Sequence, residues 1–228
     1  ATPAVTAALG RVGPPTGAPA DRADPTGPGG ASILAVRVTV DAMAHAELMA
    51  PQIEAVLAEV GAKPGDRAAV VAGIGPGPFT GLRVGLVTAS AIGDALDIPT
   101  YPVCTLDALA VGQRGRVLVA TDARRREVYW ACYADGVRLA GPEVSRPVEV
   151  AARAAGLGVR RAVGDGAQRY ADLLDLPVED SPRYPPAHAL LALAALRVGA
   201  GAPGERLTPL YLRRPDAVEP AARKRVNL

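Results

Sequence analysis

The residues best suited to chemistry lie in one run, Gly73 to Leu96, GIGPGPFTGLRVGLVTASAIGDAL. Within it, Gly75-Pro76-Gly77-Pro78-Phe79-Thr80-Gly81 sets an unusual turn directly ahead of a helix. Gly77 and Gly81 allow backbone conformations closed to other residues, and the free N–H groups at a helix start attract anions. The turn is therefore a candidate phosphate loop, with Gly75, Pro76, Gly77, Thr80, Gly81 and the neighbouring Arg83 as its residues. It is not the Walker sequence, which needs a lysine to reach the phosphates, nor the dinucleotide glycine pattern. Residue physics alone favours a tight strand-to-helix turn over nucleotide binding.

Other chemistry is sparse. The histidines are His45 and His188. A helical metal site needs two imidazoles four residues apart, and Met49 stands four after His45, so no metal site is expected. His45 reads as a capping or surface residue ahead of a helix, and His188 as helix surface. Cys104 and Cys132 lie in apolar contexts without CxxC spacing and read as buried free thiols. No Ser, His, Asp order carries a hydrolase signature. Asp122 is the acid available to a kinase reading.

The elements that must position these residues follow from periodicity. Val5 to Leu9 reads as a strand, Arg11 to Gly30 as a long Pro- and Gly-rich loop, and Ser32 to Val40 as a β-branched strand. Ala46 to Val60 has helical spacing of Leu48, Met49, Ile53, Val56, Leu57 and Val60, with Pro51 as a kink or true start. Arg67 to Ile74 reads as a strand buried on both faces, then the glycine turn and a helix to Leu96, a strand from Ile98 to Val103, and a helix from Leu106 to Ala110 capped by Thr105.

Val117 to Thr121, Glu127 to Tyr133 and Val137 to Val144 follow as hairpin-linked strands, Tyr129 and Trp130 facing opposite sides so that one meets the core and the other a groove or surface. A weak helix near Val148 to Ala155, a Gly164-Asp165-Gly166 turn, a short helix around Tyr170 to Leu174 and a strong helix from Ala187 to Val198 complete the chain. Gly81, Gly85, Ala89 and Gly93 recur every four residues, a small-residue stripe that admits a close helix neighbour, either internal or on a partner subunit.

Composition narrows the functional classes. The net charge of +2 is small and arginines interleave with acids, so any RNA contact has to be local. Arg223-Lys224-Arg225 is one small basic cluster, read as a solvated tail. The longest apolar stretch, Ala187 to Leu196, is interrupted by His188 and too short to span a bilayer. A cytoplasmic protein with no membrane segment is expected. The sequence starts at Ala1-Thr2-Pro3, inside an apolar alternation, so the first strand is expected to be truncated.

GPGPFTGLRVG resembles the GPGSFTGLRIG signature of the TsaB (YeaZ) family, with Pro78 where that family usually has Ser. Thr105-Leu106-Asp107-Ala108-Leu109-Ala110, the segment from Asp122 to Trp130, and Pro209-Leu210-Tyr211-Leu212-Arg213 reinforce the resemblance in family order.

The resemblance implies an α/β fold of the actin and hexokinase type, with mixed sheets flanked by helices and two lobes, 1–104 and 105–228. It implies a non-catalytic scaffold for threonylcarbamoylation of tRNA at the adenosine next to the anticodon, pairing with a catalytic transferase paralogue. A small P-loop ATPase would dock on that heterodimer, tRNA would be engaged indirectly, and the chain alone would form a homodimer. Leu48, Met49, Gly81, Gly85, Ala89 and Gly93 would form the partner face, and ATP or ADP would sit at the interface with the transferase rather than as an intrinsic cofactor. Asp122 and Arg124 would mark a degenerate second phosphate loop, and Gly164-Asp165-Gly166 a nucleotide-side turn. The competing readings are an ATP-dependent small-molecule kinase of the same fold and, behind it, a metalloprotease.

Overall fold

The structure, a computed structural model, describes residues 2–13 and 30–213. The chain runs β1 (Ala4–Val12), β2 (Ala31–Val40), α1 (His45–Glu59), β3 (Val70–Gly73), α2 (Phe79–Leu96), β4 (Thr100–Val103) and α3 (Thr105–Ala110). It continues through β5 (Arg116–Asp122), β6 (Val128–Ala134), β7 (Val137–Ser145), α4 (Pro147–Gly156), β8 (Ala162–Val163), α5 (Asp165–Arg169), α6 (Ala171–Leu174) and α7 (Ala187–Gly199). It is a mixed α/β protein with helices flanking its sheets.

Among the described residues the strands form three sheets. β1 and β2 pair antiparallel, β3 and β4 pair parallel, and the third sheet has the order β7-β6-β5-β8, with β8 parallel to β5. The third sheet is the best buried because β5 and β6 alternate between two apolar layers. Leu118, Ala120, Val128, Trp130 and Cys132 meet Val150, Ala154 and Leu174 on one face. Val117, Val119, Ala131 and Tyr133 meet Leu106 and Leu109 of α3 on the other. Each fully buried aliphatic or aromatic side chain here is worth about 1.5–3 kcal/mol relative to exposure. Trp130 lies in the first of these layers and Tyr129 is buried as well, so neither faces a groove as expected.

The smaller sheets share their covering helices. α1 lies on β1 and β2, where Gln52 Nε2 donates to Thr39 Oγ1 at 2.8 Å. α2 covers β3 through Leu82, Leu86 and Ala89. α7 reaches both sheets, Ala194 packing with Tyr101 and Val103 while Leu191 lies against Gly10.

Several boundaries differ from expectation. β1 runs on through Arg11 and Val12; residues 14–29 of the expected loop lie outside the described residues, as do Arg223, Lys224 and Arg225. β3 starts only at Val70, because Pro64–Asp66 forms a tight 3-10 turn. Val70, Val71 and Gly73 are half-buried rather than buried on both faces, since β3 hydrogen-bonds to β4 alone among the described strands. Pro51 neither opens α1 nor sits at its end, lying inside it, six residues after its first residue. Gly164 and Asp165 are not a plain turn: Asp165 starts α5. β8 pairs through only two residues, too short for a period to register. Among the described residues no helix is long and apolar enough to cross a membrane.

Candidate functional site

The glycine turn joins the end of β3 to the start of α2. Gly75 adopts φ +93°, where a Cβ would sit 3.0 Å from Leu82 Cδ2 and 3.3 Å from the Gly77 nitrogen, so only glycine fits without rearrangement. Gly75, Pro76 and Gly77 are buried. The Gly75 and Pro76 carbonyls are taken up from the neighbouring helix: Thr105 N–H donates to Gly75 O at 2.9 Å, and Thr105 Oγ1 donates to Pro76 O at 3.2 Å. The Thr105 hydroxyl therefore holds the glycine turn rather than capping α3, of which Thr105 is the first residue.

Beyond the turn the chain reaches the surface. Phe79 and Thr80 are exposed, and Arg83 sits one turn on. The Arg83 guanidinium lies 3.9 Å over the Phe79 ring, and its Nε donates to Tyr211 Oη at 3.0 Å. Phe79 and Tyr211 stack with ring centroids 5.1 Å apart. The sequence signal at Arg83 is thus spent on an internal cation–π and hydrogen-bonded cluster.

Tyr211 belongs to a segment that also reaches the second loop. Leu210 N–H donates to Ile74 O at 2.9 Å, just ahead of the glycine turn. Arg213 then donates to Ala123 O at 3.0 Å and forms an ion pair with Glu127. Four consecutive residues, Leu210 to Arg213, therefore staple the turn after β3 to the hairpin between β5 and β6. The Pro209-to-Arg213 run is visible in sequence as a motif, but its contacts are not.

The β5–β6 hairpin carries Asp122 and Arg124. Asp122 accepts from Arg169 at 3.0 Å, from Tyr170 Oη at 3.3 Å and from the Arg124 N–H at 3.2 Å. Arg124, Arg125 and Arg126 take φ values of +60°, +52° and +61°, three consecutive non-glycine residues in the left-handed region. Each such residue costs about 1–2 kcal/mol.

Gly164 and Gly166 bring α5 against the end of β5. A Cβ on Gly164 would sit 2.2 Å from Ala120 O, and one on Gly166 2.5 Å from the Thr121 carbonyl carbon. Between them Asp165 is buried, and burial pushes its carboxyl up to about 6, with the Asp122 charge adding to the rise; backbone N–H groups of Asp122 and Gly166 oppose it. Asp165 Oδ1 and Thr121 Oγ1 are buried with no hydrogen-bond partner among the described residues. The glycines mark this stretch in the sequence, but the polar pair was missed, its only signal being an acid between two glycines.

His45 corrects a second expectation. It is the first residue of α1 and is buried, with its ring against Gly81 at 3.2 Å from the position of a Cβ there, so it is neither a surface residue nor outside the helix. Burial lowers its pKa, opposed by the nearby backbone of Ala42 and Thr2 and the charge of Asp41. Among the described residues no three His, Cys, Asp or Glu side chains cluster as metal ligands.

The small-residue stripe of α2 divides. Gly81 faces His45, Ala89 is buried under β3, and Gly93 is pressed against Thr100 and the Ile98 carbonyl. Gly85 alone of the four opens on empty space, with nothing within 4 Å of where a Cβ would stand. Leu48 and Met49 are half-buried on α1, which packs against α2.

Residues 37–188 match the family described as tRNA N6-adenosine threonylcarbamoyltransferase. An uncharacterized protein of Mycobacterium tuberculosis strain H37Rv is 49% identical over 185 residues, 81% of this chain and 82% of its own length. The tRNA threonylcarbamoyladenosine biosynthesis protein TsaB of Escherichia coli K12 is 38% identical over 94 residues, 39% of this chain and 41% of that protein. The solved structure of YeaZ from Pseudomonas aeruginosa superimposes with a TM-score of 0.66 at 29% identity, covering 78% of this chain and 89% of that one. The chain belongs to the TsaB (YeaZ) family. In this chain the glycine turn, the Asp122 hairpin and the Leu210-to-Arg213 segment are wired to one another.

Proposed function

We propose that this chain acts in threonylcarbamoyladenosine biosynthesis as a non-catalytic scaffold, pairing with the catalytic transferase that modifies the tRNA adenosine next to the anticodon. What supports the biosynthetic role is membership of the TsaB family, whose Escherichia coli member is named for that process. What supports the non-catalytic role is one observation: both loops that would grip a nucleotide are occupied by the chain's own groups. Phe79 and Tyr211 take Arg83, the cation beside the glycine turn, and Arg169 and Tyr170 take Asp122, the acid of the second loop. A phosphoryl-transfer site needs its cation aimed at the phosphates and its acid free to act on the nucleophile or a metal ion.

In this reading the chain has two actin-like lobes, 1–104 and 105–228, and works in the cytoplasm. The partner face is built from α1 and α2, with Leu48 and Met49 half-buried and Gly85 open. The same face forms a homodimer when the transferase is absent. ATP or ADP binds at the interface with the transferase, and a small P-loop ATPase docks on the heterodimer.

Reconstitution with the cognate transferase and ATPase tests this. Threonylcarbamoylated tRNA should form with the parent chain and fail with Gly85→Arg, whose side chain the isolated fold accommodates because the Cβ position is empty. Modification at the same rate with the chain omitted would overturn the scaffold role.

A further inference from the structure

Among the described residues, the one run of three consecutive non-glycine residues in the left-handed region is also a run of three arginines. Arg124, Arg125 and Arg126 form a left-handed run at the tip of the β5–β6 hairpin, and all three are exposed. Glycine, or asparagine, would hold this backbone more cheaply, so the arginine side chains are what the position keeps. The run is held from below by Ala123 N–H to Glu127 O at 3.0 Å, Glu127 N–H to Arg124 O at 2.9 Å, and the Arg124 N–H to Asp122 contact. Arg213 pins the same base through Ala123 O and Glu127.

The acids around the tip are outnumbered. Asp122 is paired with Arg169, and Glu127 with Arg213. Asp165, the next acid inward, is buried and its carboxyl is pushed toward neutrality. Among the described residues named here, Arg124, Arg125, Arg126, Arg169 and Arg213 stand against Asp122, Glu127 and Asp165, so five cations face three acids. Arg169 on α5 meets Asp122 of the hairpin at 3.0 Å, and its guanidinium lies 5.7 Å from the Tyr170 ring, so the basic surface continues from the hairpin onto α5.

From this geometry we propose that the Arg124–Arg126 tip, flanked by Arg169, is a docking surface for the phosphodiester backbone of RNA. Guanidinium forks match phosphate oxygens, and such contacts position a nucleic acid without reading its sequence. A protein partner would need an apolar centre, and no large apolar side chain is exposed among residues 122–130 or 165–170. That the RNA is a tRNA rests on the proposed function; the phosphate chemistry does not.

The test replaces all three arginines with glycine, written Arg124→Gly, Arg125→Gly and Arg126→Gly in one chain. Glycine suits the left-handed backbone, and a thermal melt of the variant checks that it is folded. Fluorescence anisotropy of the full chain with a labelled unmodified tRNA transcript, across a potassium chloride series, should show affinity lowered by at least about tenfold and the log–log salt slope reduced by about two. The matching triple-lysine variant should keep most of both. An unchanged affinity and slope overturns the proposal. So does normal RNA binding combined with lost retention of the transferase or ATPase in gel filtration, which would assign the tip to an acidic protein surface. If the parent supports tRNA modification while the glycine variant binds RNA unchanged, only the docking surface falls. If the parent fails in modification, the scaffold reading falls and the anisotropy still judges the tip.

Discussion

Arg83 Nε donates to Tyr211 Oη at 3.0 Å across 128 residues of sequence, while the same guanidinium covers Phe79 and Tyr211 stacks on that ring. The three side chains tie the start of α2 to the segment that goes on to Arg213. Tyr211→Phe keeps the stack and removes the hydrogen bond, so it should cost about 0.5–1 kcal/mol. Tyr211→Ala removes the stack as well and should cost about 1–2 kcal/mol. Denaturant midpoints of the two variants check the order; equal losses would mean that the ring contributes nothing.

Arg213 should matter more than Tyr211, because it serves a backbone carbonyl and a carboxylate together, with side-chain exposures of 23% for Arg213 and 31% for Glu127. Arg213→Ala should cost about 1.5–3 kcal/mol. Arg213→Lys should recover only part, since an ammonium lacks the planar fork that reaches both acceptors. A double variant with Glu127→Ala, measured as a mutant cycle, should show coupling; strict additivity would remove the ion pair from the account.

Three glycines separate geometry from propensity. Gly164→Ala places a Cβ against Ala120 O at φ +106°, and Gly166→Ala places one against the Thr121 backbone, so both should lose several kcal/mol or fail to fold. Gly85→Ala sits in mid-helix with empty space beside it and should gain about 0.5–1 kcal/mol. Thermal melts of the three variants settle the ranking, and a destabilised Gly85→Ala would contradict the open surface.

Much of this was legible because periodicity reports local elements. β5, β6 and α7 stood out from their apolar spacing, and the glycine turn from its composition. What the sequence withheld was contact. Thr105 sits where a cap belongs, and nothing local shows that its hydroxyl reaches Pro76, 29 residues back. Strand alternation at Tyr129 and Trp130 could not say that helices cover both faces of the sheet. His45 reads as polar, hence exposed, until Gly81 makes a flat seat for its ring.

Stability should depend on pH through two buried groups with opposite signs. The Asp165 carboxyl is raised from 3.8 to about 6 on folding, so the folded state binds the extra proton. Its burial destabilises above pH 6, and that penalty fades as pH falls from 6 toward 4. His45 is lowered below 6.5, so its protonation in the unfolded chain draws stability away as pH falls below 6.5. Asp165→Asn should therefore stabilise by about 2–3 kcal/mol at pH 7.5 and little at pH 4. Replacing His45 with Gln should flatten the acid side instead. Denaturation curves from pH 4 to 8 separate the two, and an Asp165→Asn gain that did not vary with pH would rule out the titration.

The cysteines give the last expectation. Cys132 lies within the sheet core at 0% exposure, and burial pushes its thiol up to about 11; Cys104 is half-buried, and its thiol is also raised, by burial and then by the Asp107 charge. Thiolate, not thiol, attacks disulfide reagents, so neither should react quickly in the folded state. At pH 8, Cys104 should label slowly and Cys132 only at the rate of opening, while both label at once in denaturant. Cys132 labelling should then slow in any variant that stabilises the fold and quicken with Arg213→Ala. A Cys132 that labels rapidly in the parent at pH 8 would mean that the sheet opens far more often than its burial requires.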